Sequence, residues 1–307
     1  MIEGLPQYLK ALRTATGGTL EVDVCPDITA RRAGFVVHRG GSGPLTIVYL
    51  PGLQSEDMPF VRTRQLLEAH ATVVSLAWRA GGPHTPAQYA ADVLEALDAL
   101  GIERAVFIGE SMGSIPALTL AIHHSQRVQG LVLAGGFTRG VHRFLTATGR
   151  LGLRVFPTRV AQWGLRHVAP HALRLATGHR LHPDVVDAFV AVHGEEHRWD
   201  TYARLEMIAR WDCRQDLSRI ACPVFYLGGA LDELVHVRRE IATLRAAGVA
   251  LESELIPWCP HPVLMMRPER SSEVIAAFAR RCCQPHAANG TASAPHAWSR
   301  SSAIAAT

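Results

Sequence analysis

Short apolar runs alternate with longer segments of helical periodicity from residue 45 onward. The first run, at 45–50, reads L-T-I-V-Y-L; a helical segment follows at 59–70, and a second run at 71–78 reads A-T-V-V-S-L-A-W. Apolar runs of this length, bounded by turn residues and separated by helices, are typical of parallel strands. The pattern therefore predicts an α/β protein with a mostly parallel sheet.

The same alternation continues through most of the chain. A helix is predicted at 85–100, because Thr85 can cap it and Pro86 suits its first turn. A second helix ends on Gly248, and the last helix is predicted to begin at Ser271 or Ser272. Further strands are predicted at 104–109, 131–136, 224–229 and 251–257.

The strand–helix alternation stops between Gly136 and Cys213, where helical segments are punctuated by glycine and proline. This region predicts an all-helical cap, and the sequence divides accordingly. The predicted units are a first core part at 1–137, the cap or lid at 138–213, a second core part at 214–283 and a tail at 284–307. The tail has turn formers and small residues without periodicity, which predicts disorder.

Composition excludes several classes of protein. The chain has 307 residues, of which 48% are hydrophobic and 19% are charged, as expected of a globular protein with a sizeable core. A net charge of +4 does not indicate nucleic-acid binding, and no nucleic-acid-binding motif is present. Without a signal-like start or an apolar run long enough to span a membrane, the expected location is cytoplasmic. The six cysteines lack C-x-x-C spacing, which favours reduced thiols.

One short motif interrupts an apolar run with a serine between two glycines. Gly109-Glu110-Ser111-Met112-Gly113 matches G-x-S-x-G and lies between a predicted strand and a predicted helix. In that context the motif forms a sharp turn that exposes the serine hydroxyl at the carboxyl edge of the sheet. The Met112 amide then lies at a helix N-terminus, where it favours negative charge. A turn serine without a chemical role is the alternative interpretation.

A serine hydroxyl becomes a nucleophile only when a base takes its proton and a carboxylate orients that base. Asp232 follows the predicted strand at 224–229, and His261 follows the predicted strand at 251–257. Both fall just past the carboxyl ends of strands, in the chain order Ser, Asp, His that suits this motif. Glu233 is the alternative acid, and a structural loop histidine is the alternative interpretation of His261.

The tetrahedral intermediate of acyl transfer requires a second amide donor besides Met112. The turn at 50–54, L-P-G-L-Q, follows an early predicted strand and is the candidate source. Pro51 has no N–H, which leaves the amides of Gly52 and Leu53, and Leu53 is favoured. An ordinary Pro-Gly turn would have the same sequence.

The chain resembles the α/β-hydrolase fold superfamily over about residues 33–280. The resemblance rests on the strand that leads into Ser111, the sharp turn at Ser111 (the elbow), the helical insertion, Asp232 and His261. The stretch at 216–224, D-L-S-R-I-A-C-P-V, resembles the family's lead into the strand before the acid. The resemblance implies a doubly wound, mostly parallel sheet with an all-helical cap inserted after the sixth strand. It also implies a serine-dependent hydrolase that needs no metal or organic cofactor.

Two stretches depart from the family pattern. The family often has His-Gly where this chain has Pro51-Gly52, which affects the oxyanion turn. It often has Asp-Arg-Gly where this chain has Trp78-Arg79-Ala80, which affects the pocket wall.

Two other patterns favour different functions. His193-Gly194-Glu195-Glu196-His197 spells H-x-x-E-H, which occurs in some zinc peptidases, but a glycine inside the helix and the lack of a marked third ligand favour a solvated polar face. The first half of the cap, 138–181, carries eight arginines and no acid. This bias fits an acidic carrier protein or an anionic membrane surface, with a solvated helical face as the alternative. The arginines are at 139, 143, 150, 154, 159, 166, 174 and 180.

The residues favour an esterase that acts on a small-molecule acyl substrate and forms an acyl-enzyme on Ser111. A thioesterase or carrier-protein ester hydrolase that uses the basic cap is a second hypothesis. A third, from a different class, is a ligand-binding protein that keeps the fold without catalysis.

Overall fold

The computed structural model describes residues 37–53, 60–78, 81–82, 84–141, 143–168, 171 and 198–283 of the chain. In these residues, seven strands form one sheet in the order β1-β3-β2-β4-β5-β6-β7. The strands are β1 (Val37–Gly40), β2 (Thr46–Leu50), β3 (Thr72–Leu76), β4 (Ala105–Glu110), β5 (Val128–Ala134), β6 (Val224–Gly229) and β7 (Leu251–Ile256). Only β1 is antiparallel to its neighbour, so the predicted α/β fold with a mostly parallel sheet is confirmed.

Helices cover both faces of the sheet, as in doubly wound folds. They are α1 (Val61–Glu68), α2 (Pro86–Ala99), α3 (Ser114–His123), α4 (Arg143–Val155), α5 (Thr158–His167), α6 (Arg198–Arg210), α7 (Val237–Ala246), α8 (Val263–Met266) and α9 (Pro268–Cys283). The core on one face contains residues of α2, α3 and α7, and the core on the other contains residues of α1, α8 and α9. None of these described helices combines the length and the apolarity that crossing a bilayer requires.

The alternation of side chains along β2 explains why its sequence is apolar throughout. Ile47 and Tyr49 are buried in the core beside α1 and α9, whereas Val48 and Leu50 are buried in the core beside α2 and α3. A strand covered on both faces has no solvated side, so it reads as a continuous apolar run rather than an alternating one.

Element boundaries agree with the sequence at most positions and differ at a few. The Thr85 side chain caps α2, accepting a hydrogen bond from the Gln88 amide at 3.2 Å, as predicted. The last helix begins at Pro268, earlier than the predicted start at Ser271 or Ser272. Proline is favoured in the first helical turn because its missing N–H has no partner there in any helix.

The chain between β5 and β6 contains α4, α5 and α6 in its described residues. A bridge between Arg139 and Asp212 brings the two ends of this region together. Residues 142, 169–170 and 172–197 lie outside the described part, so an all-helical cap remains a prediction, as do the proposed domain boundaries. Among the described strands this region follows the fifth, β5, whereas the family resemblance implied a cap after the sixth strand. The tail at 284–307 also lies outside the described residues.

Helix α6 is tied to the core by a chain of buried polar groups. Asp200 accepts hydrogen bonds from the Gly81 amide at 3.0 Å and from His84 Nε2 at 2.9 Å. The other ring nitrogen of His84 lies 2.6 Å from the Tyr89 hydroxyl, to which Arg204 Nε donates at 2.9 Å. Burial lowers the pKa of His84, and the nearby Arg204 charge acts in the same direction, although Asp200 opposes it.

The five described cysteines are free thiols, as predicted, and Cys25 lies outside the described residues. Burial raises the pKa of the Cys213 thiol to about 12 and that of Cys222 to about 11. A thiol that stays protonated is a poor nucleophile, so these two side chains act as packing groups.

Candidate active site

Strand β4 leads directly into the sharp turn at Ser111. Ser111 has a φ of +49°, a left-handed conformation that is uncommon for a residue with a side chain. The turn is possible because the glycines on either side leave space. A Cβ atom on Gly109 would lie 2.8 Å from the carbonyl oxygen of Gly113, which is closer than real side chains approach. The residues after Ser111 form one turn of 3-10 helix and continue as α3.

Of the three residues predicted from chain order, His261 lies within hydrogen-bonding distance of both Ser111 and Asp232. His261 Nε2 is 2.8 Å from Ser111 Oγ, and His261 Nδ1 is 2.8 Å from Asp232 Oδ2. The loops that carry Asp232 and His261 follow β6 and β7, and the Leu231 amide donates to the Cys259 carbonyl at 3.0 Å between them. This arrangement leaves one ring nitrogen to accept the Ser111 proton while the other donates to the carboxylate.

The Asp232 side chain is fully buried and is fixed by more than the histidine. Its Oδ1 accepts hydrogen bonds from the amides of Leu234 at 2.9 Å and Val235 at 2.8 Å, which leaves Oδ2 to face His261. Glu233, the alternative acid, is placed differently. Its Oε2 accepts from the backbone amide of His261 at 3.2 Å, so it contacts the main chain of this residue and Asp232 contacts the ring.

The turn after β2 lies beside the elbow. A Cβ atom on Gly52 would lie 3.6 Å from the Cβ of Ser111 and 3.7 Å from the Glu110 carbonyl oxygen. The indole N–H of Trp78 donates to two carbonyls of this turn, that of Pro51 at 2.9 Å and that of Gly52 at 3.2 Å. The turn that sequence reasoning selected as a source of oxyanion donors is therefore adjacent to the serine.

The comparison with protein families matches residues 64–267 to the α/β-hydrolase fold. The chain belongs to the α/β-hydrolase fold family. The resemblance predicted from the sequence is thus confirmed.

The chain is also similar to individual α/β hydrolases. RutD of Caulobacter sp. (strain K31), which is named for carbamate hydrolase activity, is 28% identical over 252 residues that cover 78% of this chain and 87% of RutD. The pimeloyl-[acyl-carrier protein] methyl ester esterase of Vibrio atlanticus (strain LGP32) is 26% identical over 217 residues, covering 66% of this chain and 81% of the esterase. Among solved structures, carboxylesterase CesB from Bacillus subtilis superposes with a TM-score of 0.69 at 16% identity, covering 90% of this chain and 98% of CesB. The protein is a hydrolase of the α/β family.

The surroundings of the His261 imidazole favour its protonated form. Burial acts to lower its pKa, but the hydrogen bond and charge of Asp232, together with the charges of Glu110 and Glu233, outweigh burial. The net result is a pKa raised above the ordinary value of 6.5. A more basic imidazole accepts a proton more readily, provided that it is neutral before it does so.

Glu110, the residue before Ser111, is a part of the site that sequence reasoning did not single out. Its side chain is buried and accepts a hydrogen bond from the hydroxyl of Tyr49 on β2. Burial raises the pKa of Glu110, although the Tyr49 hydrogen bond and the His261 charge partly oppose this. No local pattern could have revealed the pair, because its two members are 61 residues apart in the chain.

The H-x-x-E-H pattern at 193–197 lies outside the described residues. Within the part of the chain that the structure describes, no cluster of three or more histidine, cysteine or acidic side chains has the geometry of a metal site.

Proposed function

We propose that the protein is a serine hydrolase that cleaves a carboxylic ester through an acyl-enzyme on Ser111. The observation that carries the proposal is the hydrogen-bonded chain from Ser111 Oγ through His261 to Asp232, with both distances at 2.8 Å. The strained φ of Ser111 supports it independently, because strain in a well-packed turn is typical of functional positions.

In the proposed first half-reaction, Ser111 Oγ attacks the ester carbonyl carbon while His261 Nε2 takes the hydroxyl proton. Asp232 orients the imidazole and stabilises the imidazolium that forms. The negative charge on the carbonyl oxygen is met by the amides of Met112 and Leu53. The carbon–oxygen bond to the alcohol then breaks, and His261 gives its proton to that oxygen, which leaves an acyl group on Ser111.

In the second half-reaction, water attacks the acyl carbon and passes a proton to His261. The bond to Ser111 Oγ breaks, and the same proton returns to the serine as the carboxylic acid leaves. The name of the Vibrio relative, a methyl ester esterase, supports an ester as the substrate class. The mechanism uses no metal or organic cofactor, since the serine, the histidine and two backbone amides supply each step.

The test is release of p-nitrophenol from acyl esters of increasing chain length by wild type and by Ser111→Ala. Turnover by wild type and its loss in the mutant are expected, and the preferred chain length measures the acyl pocket. Labelling by a fluorophosphonate probe runs in parallel, because stoichiometric modification of Ser111 requires an activated hydroxyl. A folded wild-type protein that neither turns over any ester nor reacts with the probe would favour the non-catalytic binding protein instead.

A second candidate is hydrolysis of an ester or thioester attached to an acidic carrier protein. Two observations favour it: α4 and α5 contain no acidic residue, with Arg154 and Arg159 exposed on them, and the Vibrio relative is named for a carrier-bound substrate. Opposite charge speeds and strengthens protein association at low ionic strength. A KM that rises with salt for a carrier-bound ester, but not for a small free ester, distinguishes this candidate from a simple esterase.

A further inference from the structure

We infer that Trp78 is a positioning residue that turns the amides of the Pro51-Gly52-Leu53 turn toward the oxyanion. The inference rests on the proposed serine hydrolase function and adds a residue to it. Trp78 lies in the stretch where the chain departs from the family pattern, just beyond β3, and it is buried, with 4% of its surface exposed.

The indole of Trp78 is held firmly enough to act as a fixed donor. Its ring packs edge-on against the Tyr89 ring, with centroids 4.8 Å apart and planes at 75°. From this position the single indole N–H is shared between the carbonyl oxygens of Pro51 and Gly52, at 2.9 and 3.2 Å. Two consecutive carbonyl groups of the turn are therefore drawn to the same side.

The directions of these carbonyls determine the directions of the amides in the same peptide units. All peptide bonds of the described residues are trans, so each N–H points opposite to the carbonyl of the residue before it. The carbonyl of Pro51 belongs to the same peptide unit as the Gly52 amide, and that of Gly52 to the same unit as the Leu53 amide. Both amides therefore point away from the indole. Successive amides directed to one side form a concavity that binds anions.

The turn lies beside the proposed nucleophile, which is where the inference requires the two amides. Gly52 is adjacent to Ser111, where a Cβ atom on the glycine would lie 3.6 Å from the serine Cβ. Pro51 has no N–H of its own, so the orientation of the next two peptide units determines whether the turn can donate at all. Trp78 holds the carbonyls of both units.

The third carbonyl of the turn is held from α6. Arg204 Nη1 donates to the Leu53 carbonyl oxygen at 3.1 Å, and Arg204 Nε donates to the Tyr89 hydroxyl at 2.9 Å. The carbonyls of Pro51, Gly52 and Leu53 are thus all bonded to side chains outside the turn. Flipping either amide-bearing unit would break a hydrogen bond to Trp78, which holds the turn in one orientation before substrate binds.

The sharpest test replaces the indole N–H alone. Incorporation of 3-benzothienylalanine at position 78 keeps the shape of the ring and substitutes sulfur for N–H, and Trp78→Phe is the genetically simple companion. We expect kcat for a p-nitrophenyl ester to fall about tenfold or more with KM nearly unchanged. The loss should stay below the hundred- to thousand-fold, roughly, that follows removal of an oxyanion donor. Affinity for a trifluoromethyl ketone, which forms a tetrahedral adduct with the serine, should fall by a similar factor.

Trp199→Phe is the matched control, because Trp199 is 59% exposed and forms no part of the proposed site. Its kcat and adduct affinity should equal those of wild type. Thermal melting compares folding across the set, and the benzothienyl variant decides the outcome if Trp78→Phe does not fold. A folded benzothienyl protein with wild-type kcat and adduct affinity overturns the inference alone. A wild-type protein without turnover or adduct formation overturns the proposed function, and the inference with it.

Discussion

Gly113 lies against the carbonyl oxygen of Leu50 so closely that a Cβ atom built on the glycine would be only 2.1 Å from that oxygen. The Pro51 carbonyl oxygen would be 2.7 Å away. The second glycine of the serine motif therefore sets the distance between the turn at Ser111 and the Pro51-Gly52-Leu53 turn. This contact is between two stretches of main chain, neither of which can rotate aside as a side chain would.

The contact predicts a large effect of Gly113→Ala. One of the two turns must shift to admit the methyl group, and we expect kcat to fall by at least about a hundredfold, as it does when an oxyanion donor is lost. The unfolding free energy should fall by about 1–3 kcal/mol, as for overpacking in a core. Ester kinetics and denaturant unfolding measure the two effects.

Gly164→Ala is the matched control for that experiment. Gly164 lies within α5, and a Cβ atom there would meet nothing within 4 Å. Alanine favours a helix over glycine by about 1 kcal/mol, so stability should stay equal or rise slightly while activity is unchanged. Equal activity losses in the two alanine variants would contradict the role assigned to Gly113.

The raised pKa of His261 predicts the low-pH side of the activity profile. Only the neutral imidazole can accept the Ser111 proton, so kcat/KM should fall as the pH drops through the His261 pKa, with a midpoint above 6.5. Glu110→Gln removes a negative charge that raises this pKa. The midpoint of the low-pH side should consequently move to lower pH in that variant, as measured by kcat/KM against pH.

The exposed Glu103 gives the control for the charge change, because Glu103→Gln alters net charge equally at a distance from the elbow. Its profile should coincide with that of wild type. A midpoint that stays in place in Glu110→Gln would mean that this carboxyl is already neutral when His261 titrates, as its own raised pKa would permit.

The two neighbouring acids should differ sharply in their contributions. Asp232→Asn disturbs the hydrogen bond to His261 Nδ1 and favours the wrong imidazole tautomer, so we expect kcat to fall by about 10⁴. Glu233→Gln alters a bond to the His261 main chain and removes a minor charge contribution to the imidazole, so its kcat should change less than about tenfold. Steady-state kinetics on one ester compares the pair. A greater loss in Glu233→Gln would make Glu233 the orienting acid.

Charge reversal on α4 and α5 tests the carrier-protein candidate. In the double variant Arg154→Glu and Arg159→Glu, KM for an ester bound to an acyl carrier protein should rise about tenfold at low salt, since surface attraction becomes repulsion. The rise should shrink as salt increases, because screening acts over about 10 Å at 0.1 M ionic strength. Kinetics with a free ester should not change.

Arg280→Glu serves as the comparison for the reversal, since it changes charge on the exposed side of α9, in another part of the fold. Only a small change in the carrier-bound KM is expected from it. Equal effects of the two reversals would point to net charge rather than to a docking surface on α4 and α5.

Much of the fold and of the candidate site could be predicted from local sequence. Six of the seven described strands were predicted from the sequence. Five of them, β2 to β6, are buried along most of their length and carry continuous apolar runs, whereas β7 reads L-E-S-E-L-I and is only half-buried. Asp232 and His261 were predicted as site residues from their positions just after two of these strands, because parallel strands end at one edge of the sheet. The strand that was missed, Val37–Gly40, is a short edge strand whose sequence V-H-R-G has no apolar run.

The contacts that depend on long-range packing could not be predicted in the same way. Tyr49 reaches Glu110, and Trp78 reaches the Pro51 carbonyl, only after strands far apart in the sequence become neighbours. Each of these side chains would also be plausible as an ordinary core residue. The departure from the family pattern at Trp78 was visible in the sequence. The hydrogen bond from its indole to the Pro51 carbonyl depends on the direction of that carbonyl, which composition and periodicity do not encode.

Helix α6 limits how this enzyme could be re-engineered by exchanging caps with relatives. Although α6 falls within the region predicted as the cap, its Arg204 holds the Leu53 carbonyl and its Asp200 joins the core through His84. A chimera whose junction lies near Cys213 would discard both residues and import a foreign partner for the turn beside Ser111. A junction placed before Arg198 would exchange the preceding part of the predicted cap and retain the hydrogen bonds that join α6 to the Leu53 carbonyl and to His84.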